Sequence, residues 1–95
     1  MIVKYHKDAQ KFIEKQDINT RRRIFIGIQG LMQKPAKGDI KPLQGYSDGR
    51  LRLRIGKYRI VYRYLTENEI EVLFILDIDS RGDIYKNWKG LTLWE

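Results

Sequence analysis

The segment Arg50 to Tyr64, RLRLRIGKYRIVYRY, sets Arg50, Arg52 and Arg54 at alternate positions before a Gly56-Lys57 pair, and Arg59 and Arg63 after it. Apolar residues fill the positions between. Two period-2 runs joined by a Gly-X dipeptide predict a β-hairpin on a type II′ turn, with Ile55 opposite Tyr58. Counting outward, Arg54 faces Arg59, Leu53 faces Ile60, Arg52 faces Val61, Leu51 faces Tyr62 and Arg50 faces Arg63. One face is then Leu51, Leu53, Ile55, Tyr58, Ile60 and Tyr62. The other carries Arg50, Arg52, Arg54, Arg59 and Arg63 around Val61, and no carboxylate. Like charges opposite one another destabilise a sheet by up to about 1 kcal/mol per pair, so folding alone gives no reason for the arrangement. An anion gives one: converging guanidiniums bind phosphate oxygens bidentately and stay charged when crowded. Arg50, Arg54, Arg63 and the turn residue Lys57 are the candidate phosphate-binding set. The alternative is the solvated outer face of a half-exposed sheet, where mixed acidic and basic residues are expected.

The rest of the chain supplies the support for this hairpin. Met1 to Tyr5 reads as a short strand. Ala9, Phe12 and Ile13 recur at helical spacing between Lys7 and about Gln16, with Asp8 near the favourable end of the helix dipole. His6 lies at the junction and reads as a helix-start or surface residue. Asp17 to Thr20 is a break with a capping residue. Ile24, Phe25, Ile28, Leu31 and Met32 then form the stripe of a second helix ending near Lys34, before Pro35. Gly27 and Gly30 each cost that helix up to about 1 kcal/mol against alanine, and read either as close packing against the first helix or the sheet or as simple tolerance. Arg21 to Arg23 open it, where positive charge opposes the dipole, and read either as polyanion contacts or as a solvated basic turn. Pro35 to Gly49 is expected to be a loop anchored by Ile40 and Pro42-Leu43. Ile70 to Ile78 is apolar on both faces, as a central strand is. An even loop before it sets Val72, Phe74 and Leu76 on the arginine face, and an odd loop sets them on the other. Its end carries Asp77, Asp79, Ser80 and Arg81. A turn or short helix through Tyr85 to Trp88 and a last apolar segment, Leu91 to Trp94, follow, with both tryptophans expected in the core. The order β-α-α-β-β-β predicts a single α+β domain over 1–95, a mostly antiparallel sheet with a helical hairpin packed on one face.

Composition narrows the chemistry. The chain has 95 residues, no cysteine, one histidine and a formal net charge of +7. Disulfides and thiolate metal sites are excluded, and a zinc site built mostly of carboxylates is not expected. No cofactor is implied. The charge suits nucleic acid, a ribosome or an acidic protein. The opening Met1-Ile-Val-Lys lacks the pattern of a signal peptide and no apolar run approaches a membrane span, so the expectation is a cytoplasmic protein without a membrane partner.

The segment LQGYSDGRLRLRIGKYRIVYRY, followed by LDIDSRGDIYK, resembles the RelE branch of the RelE/ParE superfamily of bacterial toxin–antitoxin modules. The likeness spans nearly the whole chain, and the strand and helix order agrees with it. It implies a RelE-like toxin that cuts mRNA on the ribosome without a metal. In that reaction a ribose 2′-hydroxyl attacks the adjacent phosphodiester and leaves a cyclic phosphate. It also implies a cognate acidic antitoxin, with operator DNA bound only through the antitoxin complex. By position, Arg59 and Arg81 match the family's phosphate-stabilising arginines, and Tyr85 the tyrosine that orients substrate or stacks on a base.

The chain departs from the family where a proton carrier is needed. Arg50 and Arg52 stand where RelE has lysines, and arginine does not give up its proton. Ser80 stands where other branches place a histidine. Asp79 is the first remaining candidate, ahead of Asp77, Tyr85 and Lys57, though among arginines its pKa would be depressed and an ion pair with Arg81 or a neighbour is the competing role. Two further readings are a ParE-like inhibitor of DNA gyrase with no chemistry, and a module that holds phosphate without cleavage.

Overall fold

The computed structural model describes residues 1–80. The chain runs β1 (Ile2–Tyr5), α1 (Lys7–Glu14), α2 (Ile18–Gly30), β2 (Asp39–Pro42), β3 (Leu51–Ile55), β4 (Tyr58–Glu67) and β5 (Ile70–Ser80). The strands make one sheet in the order β1-β5-β4-β3-β2. Among the described residues only β1 and β5 pair in parallel; the other pairs are antiparallel. The helices carry the chain from one sheet edge to the other, and α1 packs on β5 while α2 packs on β3. This is the α+β arrangement read from the sequence, with one more strand.

Each helix begins where a side chain satisfies an orphan amide. His6 is extended and its Nδ1 accepts from Asp8 N at 3.1 Å, so it caps α1. Asp17 caps α2, its Oδ1 accepting from Thr20 N at 2.8 Å. Arg21 serves the chain itself. Its guanidinium donates to the carbonyls of Ile13 at 3.1 Å, Gln16 at 2.9 Å and Glu14 at 2.7 Å, and so closes the end of α1 from the first turn of α2. A cation that is unfavourable to one helix dipole is favourable to the other. Helix α2 stops at Gly30 instead of Lys34, and turns fill the stretch to Pro35. Gly27 faces β3, where a Cβ would run into Ile55 and lie 3.3 Å from Leu53 Cδ2, so the helix sits against the sheet because this side chain is absent.

The hairpin has the expected register, from Ile55 opposite Tyr58 to Leu51 opposite Tyr62. Gly56 takes a φ of 57° and Lys57 does not take a positive φ, as a type II′ turn requires. The apolar face closes the core: Leu53, Ile60 and Tyr62 pack with Leu73, Ile75 and Ile78 of β5 and with Ala9, Ile13, Ile24 and Ile28 of the helices. Tyr58 meets Phe12 edge to face, with ring centroids 5.9 Å apart. The β4–β5 connection is the even one: Asn68 and Glu69, both at positive φ, separate Glu67 from its partner Ile70. Phe74 therefore lies opposite Arg63 on the arginine face. Leu76 follows on that face by alternation and packs with Val61, and an irregularity between Val61 and Tyr62 then sets Asp77 opposite Val61 and Ile78 opposite Ile60 on the core side.

The segment from Pro35 to Gly49 is not all loop. Asp39–Pro42 adds an edge strand to β3, with Ile40 opposite Leu53. Four residues ending in proline carry too short a pattern to read as a strand, and an edge is where proline is tolerated. Removing the Arg21 guanidinium takes these donors from the Glu14 and Gln16 carbonyls and leaves Ile13 with only the Gln16 amide, so Arg21→Ala is expected to lower stability by about 1.5–3 kcal/mol. Urea unfolding checks this; an Arg21→Lys variant, with one nitrogen in place of a fork, recovers less than half of the loss.

Candidate nucleic-acid interface

The hairpin delivers Arg52, Arg54, Arg59 and Arg63 to the sheet face away from the helices, with Arg54 directly opposite Arg59. Two of them are buried: Arg52 is 3% exposed and Arg59 5%. The expectation of a face without carboxylates is corrected here. Asp39, opposite Arg54 in the β2–β3 register, accepts from Arg54 Nε at 2.9 Å and lies 3.6 Å from Arg52 Nη1. Arg52 also donates to the Asp39 carbonyl at 3.2 Å. Asp48 Oδ2 accepts from Arg50 Nε at 2.9 Å and from Arg63 Nη1 at 3.4 Å. Both aspartates come from the segment read as a loop, whose pairing has no periodic signal in sequence. Asp39 offsets the repulsion between Arg52 and Arg54, alternate residues of β3, and Asp48 that between Arg50 and Arg63 on the two arms of the hairpin.

A small second cluster seats the Asp48 segment. Leu43 and Tyr46 pack with Val61 and Leu76, and Leu43 N donates to the Arg50 carbonyl at 3.1 Å. The Arg50 guanidinium lies over the Tyr46 ring, 4.4 Å from its centroid, a cation–π contact. Lys57 is at the hairpin tip, its Nζ 5.4 Å from the Tyr58 ring centroid. Asp79 is the cross-strand neighbour of Arg59, and its Oδ1 accepts from Ser80 N at 2.8 Å. Arg81 and Tyr85 lie outside the described residues.

The carboxylates divide by environment. Asp48 is held below the ordinary carboxylate range by its hydrogen bond from Arg50, against a burial effect, with the Arg50 and Arg63 charges adding. For Asp39 burial acts upward, but the charges of Arg54, Arg52 and Lys41 and the Arg54 hydrogen bond outweigh it and the net shift is downward. Asp77 goes the other way: burial raises it, Asp8 adds repulsion, and a backbone hydrogen bond from Ile78 and the His6 charge oppose. Burial also raises the Tyr62 phenol. The face is therefore rich in fixed cations and donors, while Asp39 and Asp48 are weak bases. It can bind and stabilise negative charge far better than it can move a proton. Among the described residues no cluster of His, Asp or Glu could hold a metal ion, and no helix is long and apolar enough to cross a membrane.

Comparison with known proteins gives this fold and face a class. Residues 3–85 match the family model described as the ParE toxin of the type II toxin-antitoxin system, parDE. The chain belongs to this family, within the RelE/ParE superfamily of type II toxins. Its structure is similar to the archaeal RelE–RelB complex from Pyrococcus horikoshii OT3, with 29% identity and a TM-score of 0.66, over 85% of this chain and 94% of that one. It is also similar to the RelB–RelE antitoxin–toxin complex from Methanococcus jannaschii, with 24% identity and a TM-score of 0.67, over 90% and 98%. The YoeB/ParE toxin from Agrobacterium tumefaciens shares the fold at 20% identity and a TM-score of 0.72, over 84% and 98%. No curated protein sequence matches the chain.

The charge pairs set the acid behaviour. Asp39 and Asp48 have folded-state pKa values below their unfolded ones, so the stability they contribute is fully present above about pH 4 and is lost as pH falls through the folded values. Asp48→Asn should flatten the fall of the urea midpoint between about pH 4 and pH 2. Asp77 has the opposite sign: its raised pKa costs stability above the unfolded value. Asp77→Asn should raise the urea midpoint at neutral pH and leave it nearly unchanged below about pH 3.

Proposed function

We propose that this type II toxin is a ribosome-dependent mRNA endoribonuclease of the RelE kind. The observation that carries the reading is the burial of Arg52 and Arg59 at the centre of the hairpin's outer face. Buried guanidiniums are a poor route to stability, and well-packed apolar residues would serve a fold as well or better. Fixed guanidiniums instead suit a phosphodiester that gains negative charge during reaction, because donors already in place need no reorganisation at that moment. Arg59, with Arg52 beside it and Arg81 and Tyr85 from the following segment, stabilises the phosphorane-like charge and orients the substrate. Arg50, Arg54, Arg63 and Lys57 bind the flanking phosphates. Asp79 is the carboxylate nearest in register to Arg59 and the first candidate for the proton carrier.

The ribosome and mRNA are the proposed partners in the reaction, in the cytoplasm. A cognate acidic antitoxin silences the toxin, and operator DNA is reached through that complex. The archaeal neighbours are complexes of RelE with RelB, which supports an antitoxin partner. A second reading is a ParE-like inhibitor of DNA gyrase, favoured by the description of the matching family model. Under it the arginines serve binding alone.

Primer extension on a translated mRNA separates the two. Cuts in the decoding site are expected with the native chain, reduced about 100-fold or more by Arg81→Ala, as when a single charge-stabilising donor is lost. Intact mRNA together with inhibition of gyrase supercoiling would replace this reading by the second.

A further inference from the structure

We infer that Asp48 is a positioning residue: it fixes Arg50 and Arg63 as a pair on the sheet face so that both engage one RNA phosphate. This inference rests on the RNA-cleaving reading. Arg50 and Arg63 occupy the cross-strand place just beyond the Leu51–Tyr62 pair, where two guanidiniums alone would repel and splay apart. Asp48 Oδ2 takes one hydrogen bond from each. A guanidinium has five N–H donors, so each keeps others for a ligand. Asp48 Oδ1 and Arg63 Nε are both buried without a hydrogen-bond partner among the described residues, so this pairing leaves polar capacity unspent beside the joined guanidiniums.

The surroundings restrain the group from two sides. The Tyr46 ring lies under Arg50, and Leu43 ties the segment to Val61. With its side chain 26% exposed, Asp48 sits at the rim of the face, close enough to water for an incoming phosphate to meet the arginines beside it. Held low by those same arginines, its carboxylate does not serve as the missing base. Its work is geometric: it cancels the repulsion that would otherwise scatter two cations needed in one place.

A double-mutant cycle tests this on binding of a short single-stranded oligouridylate at low salt, followed by fluorescence anisotropy. Arg63→Ala is expected to weaken binding about fivefold in the native background, the scale of one lost phosphate contact, and to change it little in the Asp48→Asn background. Asp48→Asn itself gives up the Arg63 contact but gains one net positive charge, so it should bind within about fivefold of the native chain, yet cut mRNA on ribosomes about tenfold more slowly or worse than that loss of binding explains. That separation of binding and cleavage is not what a loosened fold produces. Equal Arg63→Ala effects in both backgrounds, or native cleavage by Asp48→Asn, would overturn the assignment. If Asp48→Asn does not fold, Asp48→Glu replaces it: the charge is kept, the carboxylate is displaced, and the Arg63 coupling should fall by at least half. A native chain that binds with the expected coupling but never cuts mRNA overturns the nuclease reading alone. One that does not bind the oligouridylate overturns the Asp48 assignment, while cuts on translated mRNA keep the nuclease reading.

Discussion

The constraint on which this structure turns is the placing of several guanidiniums on one face of a single antiparallel hairpin. Hairpin geometry brings Arg54 against Arg59 and Arg50 near Arg63, and no apolar packing on the opposite face removes that repulsion. The chain answers it with carboxylates from outside the hairpin. Asp39 arrives on an added edge strand and Asp48 on a segment seated by Leu43 and Tyr46. The stretch between the helices and the hairpin is therefore more than a connection, since it brings the countercharge that lets the hairpin fold with its arginines aligned.

The apolar half of the fold works by a different rule. Leu53, Ile60, Tyr62, Leu73, Ile75 and Ile78 present one continuous surface to the helices, and the helices close on it through Ile24, Ile28, Ala9 and Ile13. The bulge near Val61 allows β5 to keep Ile75 and Ile78 on the helix side while giving Leu76 to the other. A strand that is apolar at nearly every position thereby serves both clusters. One sheet so has a dry side that sets stability and a charged side that carries the arginines, with the hairpin common to both.

What could be read in advance follows from which interactions leave a period in the sequence. Alternation fixed the hairpin register because a one-residue slip would turn Leu53 and Ile60 to the arginine side. Helix spacing and the Asp17 cap located both helices. The β2 strand was missed because pairing of Asp39–Pro42 depends on a partner already in place and leaves only one apolar residue, Ile40, facing the core. Asp39 and Asp48 were missed as parts of the site for the same reason: their partners are distant in sequence. Arg21 was legible as a misplaced cation at a helix start, but the carbonyls that it serves belong to the preceding helix. The branch within the superfamily was the hardest to read, because a face of aligned arginines suits both a nuclease and a binder.

The parallel pairing of β1 with β5 carries a consequence for how the chain assembles during synthesis. Ile2 pairs with Val72 and Tyr5 with Ile75, so the first strand made has its partner among the last described residues. Until β5 has left the ribosome, β1 has no neighbour in the sheet, and the helices lack half of the surface that they cover. Contacts so distant in sequence form late and slowly. The arginine face, whose β4 member is flanked by β5, is thus completed only once nearly all of this sheet has been made. A nascent fragment of the chain holds the basic residues without the framework that aligns them.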